Sequence, residues 1–324
     1  MGKSYLLFFI ASLSFFQAKA QSKAEPTQLV DFSRIKHFQW SIEPHLRGVV
    51  PFEGKVWTFV PEGRFYIEST YNESAKEPEL GFGTLKNPLE GSERINLAEG
   101  EKERRLRGVL PWERGWLYLD SKKYQWLVWD EQKKLWLTPV DVIMDLMRPP
   151  LDRKGEAPSA EVQRLRGRFL KEFRLVKDDR DFFLGAIPLP KFWKDADGSQ
   201  ALVLMKHREY PLATVRCQLD KVRECRLMRA CFIPSLSTQE VEQLAGLAYR
   251  DKNHELWMLS HSPPRIRRYQ AESCLRVKFK DEVLLPKELR KVSGIAIDAK
   301  DKLWLTTQDA DLEHSASLFV FDIP

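Results

Sequence analysis

Leu46-Arg47-Gly48-Val49-Val50-Pro51-Phe52 recurs as Leu106-Arg107-Gly108-Val109-Leu110-Pro111-Trp112. Looser copies follow at Leu184-Gly185-Ala186-Ile187-Pro188, Leu244-Ala245-Gly246-Leu247-Ala248-Tyr249 and Val292-Ser293-Gly294-Ile295-Ala296-Ile297. The five glycines stand 60, 77, 61 and 48 residues apart, an interval that fits a propeller blade better than a solenoid coil. Each glycine leads an apolar triplet, then a polar turn, then a bulky strand. These strands are Lys55 to Phe59, Gly115 to Leu119, Ala201 to Met205, Glu255 to Leu259 and Lys302 to Thr306.

Further strands follow in most copies. Tyr124 to Trp129 and Leu135 to Leu137 flank a turn at Asp130 to Lys133, Ala213 to Leu219 precedes Cys225 to Met228, and Ile266 to Tyr269 precedes Leu275 to Phe279. Each copy therefore reads as a four-stranded antiparallel meander, the unit of a β-propeller. The last copy has three strands, ending at Ser317 to Phe321, and a spare strand lies around Leu29 to Trp40. Pairing the two completes the last blade and removes an exposed edge. The expectation is an all-β, single-domain propeller over residues 21–324, of five blades and closed by the N-terminal strand; the 77-residue interval has room for a sixth blade.

The stretches GLAYRDKNHELWMLSH (Gly246 to His261) and GIAIDAKDKLWLTTQ (Gly294 to Gln308) resemble the repeats of NHL-type, gluconolactonase-like and phytase-like (esterase-like) propellers. The resemblance covers those two copies well and the other three loosely. It implies the architecture. The gluconolactonase-like group uses a metal-binding glutamate ahead of its first inner strand, with Asn and Asp on other inner strands. That set has no counterpart at matching positions here, so the activity is not carried over.

Lys3, an apolar run from Tyr5 to Phe16 and the small-x-small triplet Ala18-Lys19-Ala20 read as a secretory signal peptide over residues 1–20. The apolar run has 12 residues, short of the roughly 20 that cross a bilayer, and no second such run follows. The expected compartment is secreted or periplasmic, with no transmembrane segment. Removing Lys3 and Lys19 leaves 50 basic against 46 acidic side chains, a net of +4. Acids and bases interleave along the chain, which argues for a solvated surface and against nucleic acid as a partner. Cys217, Cys225, Cys231 and Cys274 are expected to be oxidised in that compartment. A turn at Asp220 to Val222 sets Cys217 opposite Cys225, leaving Cys231 to pair with Cys274. The absence of Cys-x-x-Cys or Cys-x-x-His spacing argues against a cysteine metal site.

Residues 149–176 interrupt the repeat. Val162, Leu165, Phe169, Phe173 and Val176 fall on one face of a helix, with Ser159 as its N-cap and arginines opposite. This reads as an inserted loop and helix packed on the propeller rim.

In a propeller, the loops entering the innermost strands and leaving the second strands gather at one mouth of the central channel. Ahead of the innermost strands stand Glu43, His45, Glu103, Arg107, Asp181, Glu242 and Glu288. At the ends of the second strands stand Asp120, His207, His261, Gln308 and Asp309. His207 and His261 read as one repeat position. With His45 and the carboxylates they form a candidate set for a divalent metal such as calcium, or for general acid-base work. Asp195-Ala196-Asp197-Gly198 lacks the other ligands of an EF-hand and reads as a turn. Asn72-Glu73-Ser74 is a glycosylation sequon. Trp57, Trp257 and Trp304 share one repeat position and are read as packing between blades. No nucleophile elbow, P-loop, dinucleotide fingerprint or His-Glu-x-x-His occurs. The sequence therefore favours an exported module that binds a protein, peptide, glycan or small molecule. The alternative is a propeller hydrolase acting as a metal-dependent phosphoesterase or lactonase.

Overall fold

The computed structural model describes the backbone of five strands between residues 36 and 96, and most of residues 106–143 and 183–323. Residues 1–35, residues 149–176, Glu43, His45, Asn72 to Ser74, Glu103, Asp181, Glu288, Asp309, the side chain of Trp57 and the two turns at 195–197 and 220–222 lie outside the described residues.

Strands β2 (Gly48–Phe52), β3 (Lys55–Phe59), β4 (Arg64–Thr70) and β5 (Glu93–Asn96) form one antiparallel sheet in that order. A second sheet has eight strands and consists of two meanders. These are β6 (Leu106–Trp112), β7 (Gly115–Asp120), β8 (Gln125–Asp130) and β9 (Leu135–Ile143), then β10 (Phe183–Pro188), β11 (Ala201–Met205), β12 (Leu212–Gln218) and β13 (Glu224–Cys231). They join where β9 and β13 run parallel, Val142 against Cys225 and Ile143 against Arg226. Next come β14 (Leu244–Arg250), β15 (Glu255–His261), β16 (Pro264–Ser273) and β17 (Arg276–Leu284), again a meander. The last sheet takes β18 (Val292–Ile297), β19 (Lys302–Gln308) and β20 (Ala316–Asp322) from the C-terminal end and β1 (Lys36–Trp40) from the N-terminal end. The pairing runs from Lys36 against Val320 to Trp40 against Ala316, so the second half of the expected closing strand sits where the repeat count put it.

The first strands of the meanders pack side by side in cyclic order: β2 on β6, β6 on β10, β10 on β14, β14 on β18, and β18 back on β2. This is a β-propeller arrangement, and it explains the burial pattern. A second strand has neighbouring sheets on both faces, so β11 (ALVLM) and the first six residues of β15 (ELWMLS) are buried throughout and read as continuous runs instead of alternating ones. An outermost strand has a wet side: β17 is mostly exposed or half-buried along its length. Three apolar clusters fill the gaps between successive sheets. One lies between the β6–β9 and β10–β13 meanders around Trp126 and Val203, the next holds Leu204 and Met258, and the third packs Trp257 against Leu303 and Leu305.

The repeat glycines have two structural causes. One is close approach: a Cβ on Gly108 would stand 2.7 Å from both the Cβ and the backbone N of Ala186, and one on Gly246 would stand 3.0 Å from Ile295. The other is a β-bulge directly ahead of the glycine in β6, β10, β14 and β18, where the register slips between Leu106 and Gly108, Phe183 and Gly185, Leu244 and Gly246, and Val292 and Gly294. The extra residues are Arg107, Leu184, Ala245 and Ser293.

Both expected disulfides form. Cys217–Cys225 closes the β12–β13 hairpin and Cys231–Cys274 ties the third meander to the fourth, leaving no free cysteine among the described residues. Asp130 organises its expected turn by accepting the Gln132 and Lys133 amides, each at 3.0 Å. Among the described residues the α-helix present is α1 (Thr238–Glu242), and no helix is long and apolar enough to cross a membrane.

Candidate functional site

The four bulges mark the end at which each chain segment enters its innermost strand. The best-described part of that end is the entry to β14. Ser237 caps α1: its hydroxyl accepts the Glu240 amide at 3.4 Å, and the Glu240 carboxylate accepts the Ser237 amide at 2.6 Å, a capping box. The other Glu240 oxygen takes Nη2 of Arg267, and that of Arg265 at 3.3 Å. Glu282 on β17 completes the set, accepting Arg267 Nε at 2.8 Å and Arg265 Nη1 at 3.2 Å. Burial pushes the Glu240 carboxyl upward, but the hydrogen bonds from Arg267 and Ser237 outweigh it and hold the group at about 2. Two carboxylates thus meet two guanidiniums, and the cluster clamps α1 to the β16–β17 pair.

The two histidines differ in chemistry. His261 ends β15 with an exposed ring, and its Nδ1 lies 2.7 Å from the Gln243 carbonyl. A carbonyl only accepts, so Nδ1 donates in this contact. His207 is 3% exposed, and its Nδ1 accepts the Tyr210 amide at 3.1 Å. Its proton is therefore on Nε2 and its lone pair is spent on the turn between β11 and β12. Burial lowers its pKa from 6.5 to about 4.

They also stand out of step. Gly185 pairs with Leu204 and Gly246 with Leu259, so His207 lies three residues beyond the glycine's partner and His261 two. The similar spelling of the two strands suggested one position, and the pairing of each second strand with its repeat glycine corrects it. Of the remaining candidates, Glu242 is exposed at the end of α1, and Asp120 is fully buried at the end of β7 opposite Leu106. Gln308 ends β19. No group of three or more His, Cys, Asp or Glu side chains among the described residues is arranged to hold a metal ion.

Sequence reasoning missed α1 and its arginine clamp. Ser237-x-x-Glu240 was a readable capping signal, but five residues give no helical period to confirm it. It also missed a second polar cluster on the opposite face of the β15–β17 part of the β14–β17 sheet, since Arg268 and Asp281 directly neighbour Arg267 and Glu282 along their strands. There Glu255, fully buried, accepts Trp257 Nε1 at 3.0 Å and takes Lys280, while Arg268 lies over the Trp257 ring at 5.6 Å and pairs with Asp281. Burial raises the Glu255 carboxyl, and its bonds to Lys280 and Trp257 and the nearby Arg268 charge bring it below its ordinary value. Arg250 pairs with Asp301 across the same gap between sheets. The Glu255–Lys280 and Arg268–Asp281 pairs brace β15, β16 and β17 within one sheet, and the Arg250–Asp301 pair joins that sheet to the next.

No family model matches the chain, and no curated protein matches it. Among solved structures, a glutaminyl cyclase of Myxococcus xanthus is similar at 8% identity and a TM-score of 0.47, over 90% of this chain and 97% of that one. The Cps50 (Swd1) β-propeller domain of Myceliophteria thermophila is similar at 10% identity and a TM-score of 0.37, over 85% of this chain and 66% of that domain.

Proposed function

We propose that the chain is an exported five-bladed propeller, of the kind its repeats resemble, that binds a protein, peptide, glycan or small-molecule ligand at the bulged end of its channel. The observation that carries this reading is the bulge ahead of the repeat glycine in β6, β10, β14 and β18, one device used four times at one end of the ring. Bulges re-aim side chains and are over-represented beside functional sites. Counting the eight-stranded sheet as two blades gives the fifth. Export, with residues 1–20 as its signal and residues 21–324 as the mature domain, is supported by four cysteines that pair completely among the described residues. Within the mouth set, His207 serves its own turn, and His261 and Glu242 present polar atoms to solvent.

The test is a thermal-shift screen of peptides, glycans and small molecules against the folded chain and a His261→Ala, Glu242→Ala double variant, alongside a phosphoester and lactone turnover assay. The expected result is a ligand that raises the melting temperature of the parent and not of the variant, without turnover. Turnover, or ligands indifferent to both substitutions, contradicts the reading.

A further inference from the structure

We infer that the chain pairs with a second copy of itself along the outer edge of β17, antiparallel, about a two-fold axis between Lys280 and Asp281. β17 has nine residues, against five in β1 and four in β5, the outermost strands of two other sheets, while β9 and β13 pair with each other. Among the described residues no strand lies on its far side. Five large apolar side chains are exposed among those residues, and three of them, Leu275, Phe279 and Leu284, stand on β17 or in the turn that enters it. A long edge carrying apolar side chains is a template for another strand.

The register follows from the ladder. Leu285 donates its amide to the Pro264 carbonyl, so the alternation of an antiparallel pair turns the backbone groups of Leu284 and Glu282 away from β16. Lys280 is the extra residue of a bulge, beyond which Phe279 and Val277 turn theirs outward. The β16 partners of these four, Arg265, Arg267, Tyr269 and Ala271, alternate along their strand, so the four side chains share one face. An axis between Lys280 and Asp281 sets Val277 opposite Leu284 of the second copy and Phe279 opposite its Glu282, outward group facing outward group. Phe279, 42% exposed, and Leu284, 52% exposed, then meet on the diagonal and cover each other. Charge selects this occupant. Arg276, Lys278 and Lys280 lead the strand and Asp281 and Glu282 follow, so antiparallel self-pairing lays the basic half on the acidic half. Asp281 and Glu282 keep their arginines, since the new bonds are made by the backbone.

Sedimentation equilibrium of the folded chain across a range of protein concentrations tests this, and a monomer–dimer equilibrium is expected. Phe279→Lys and Leu284→Lys should each weaken it by about tenfold, because every substitution acts twice across the axis. Phe192→Lys, at an exposed residue outside β17, should leave it unchanged. Leu284→Pro removes an outward amide and should weaken the dimer at least as much as Leu284→Lys. If that variant does not fold, hydrogen exchange of the parent reads the same bonds: the amides of Val277, Phe279, Glu282 and Leu284 should exchange more slowly in the dimer than in the monomer. A parent that stays monomeric, which leaves the edge to a strand of another protein, overturns the inference. So does a dimer that the β17 substitutions do not weaken, or one in which those four amides exchange at the monomer's rate.

Discussion

At the scale of single residues, the glycines that made the repeat visible are not interchangeable. Gly108 faces backbone: an added Cβ would sit 2.7 Å from the Ala186 amide nitrogen, which cannot move without shifting β10. At Gly185 the nearest atom is 3.8 Å away, an ordinary contact. Gly108→Ala should therefore cost about 2 kcal/mol or more, as overpacking does, and Gly185→Ala well under half of that. Urea denaturation of the two variants checks the order. His207 supplies a second residue-level prediction. Burial holds its folded pKa at about 4, below the ordinary 6.5, so the unfolded chain binds the proton more readily. The contribution is complete above pH 6.5 and is lost as pH falls through that window towards 4, up to about 3 kcal/mol at about 1.36 kcal/mol per pKa unit. His207→Asn keeps an acceptor for the Tyr210 amide but does not titrate. Its stability should fall less between pH 7 and 4 than that of the parent; parallel profiles would refute the assignment.

At the scale of elements, legibility followed the physics of burial. Second strands such as Ala201–Met205 were found at their limits because cover on both faces demands an unbroken apolar run. Outermost strands were found short. β9 runs to Ile143 and β17 to Leu284; the missed part of β17 opens on Lys280, Asp281 and Glu282, charged residues that carry no apolar signal. The histidine pair was misaligned because spelling alone aligns Leu202-Val203-Leu204-Met205 with Leu256-Trp257-Met258-Leu259, whereas the strand pairing, which spelling does not show, sets Leu204 and not Met205 at the position of Leu259. The cysteines were legible because a hairpin fixes Cys217 against Cys225. These bridges should differ in worth. In the chain-entropy model, closing loops of 8 and 43 residues contributes roughly 2.5 and roughly 4 kcal/mol. Replacing Cys231 and Cys274 by Ser should thus lower the melting temperature more than replacing Cys217 and Cys225, and calorimetry of the two double variants checks this.

At the scale of the whole molecule, the ring is fastened by the pairing of β1 with β20. Five residues of β1 hold β20, and through it join the two ends of a chain whose other sheets are each made from contiguous sequence or from neighbouring meanders. Closure was legible in the sequence because the last copy was one strand short and a spare strand preceded the first. The direct test is hydrogen exchange and melting of the chain with and without residues 21–40. The intact protein should protect the amides of Ala316–Asp322 like those of the buried strand Ala201–Met205. The truncated protein should exchange them rapidly and melt well below its parent. A truncated chain that melts cooperatively at the parental temperature, with β20 still protected, would contradict the closed ring.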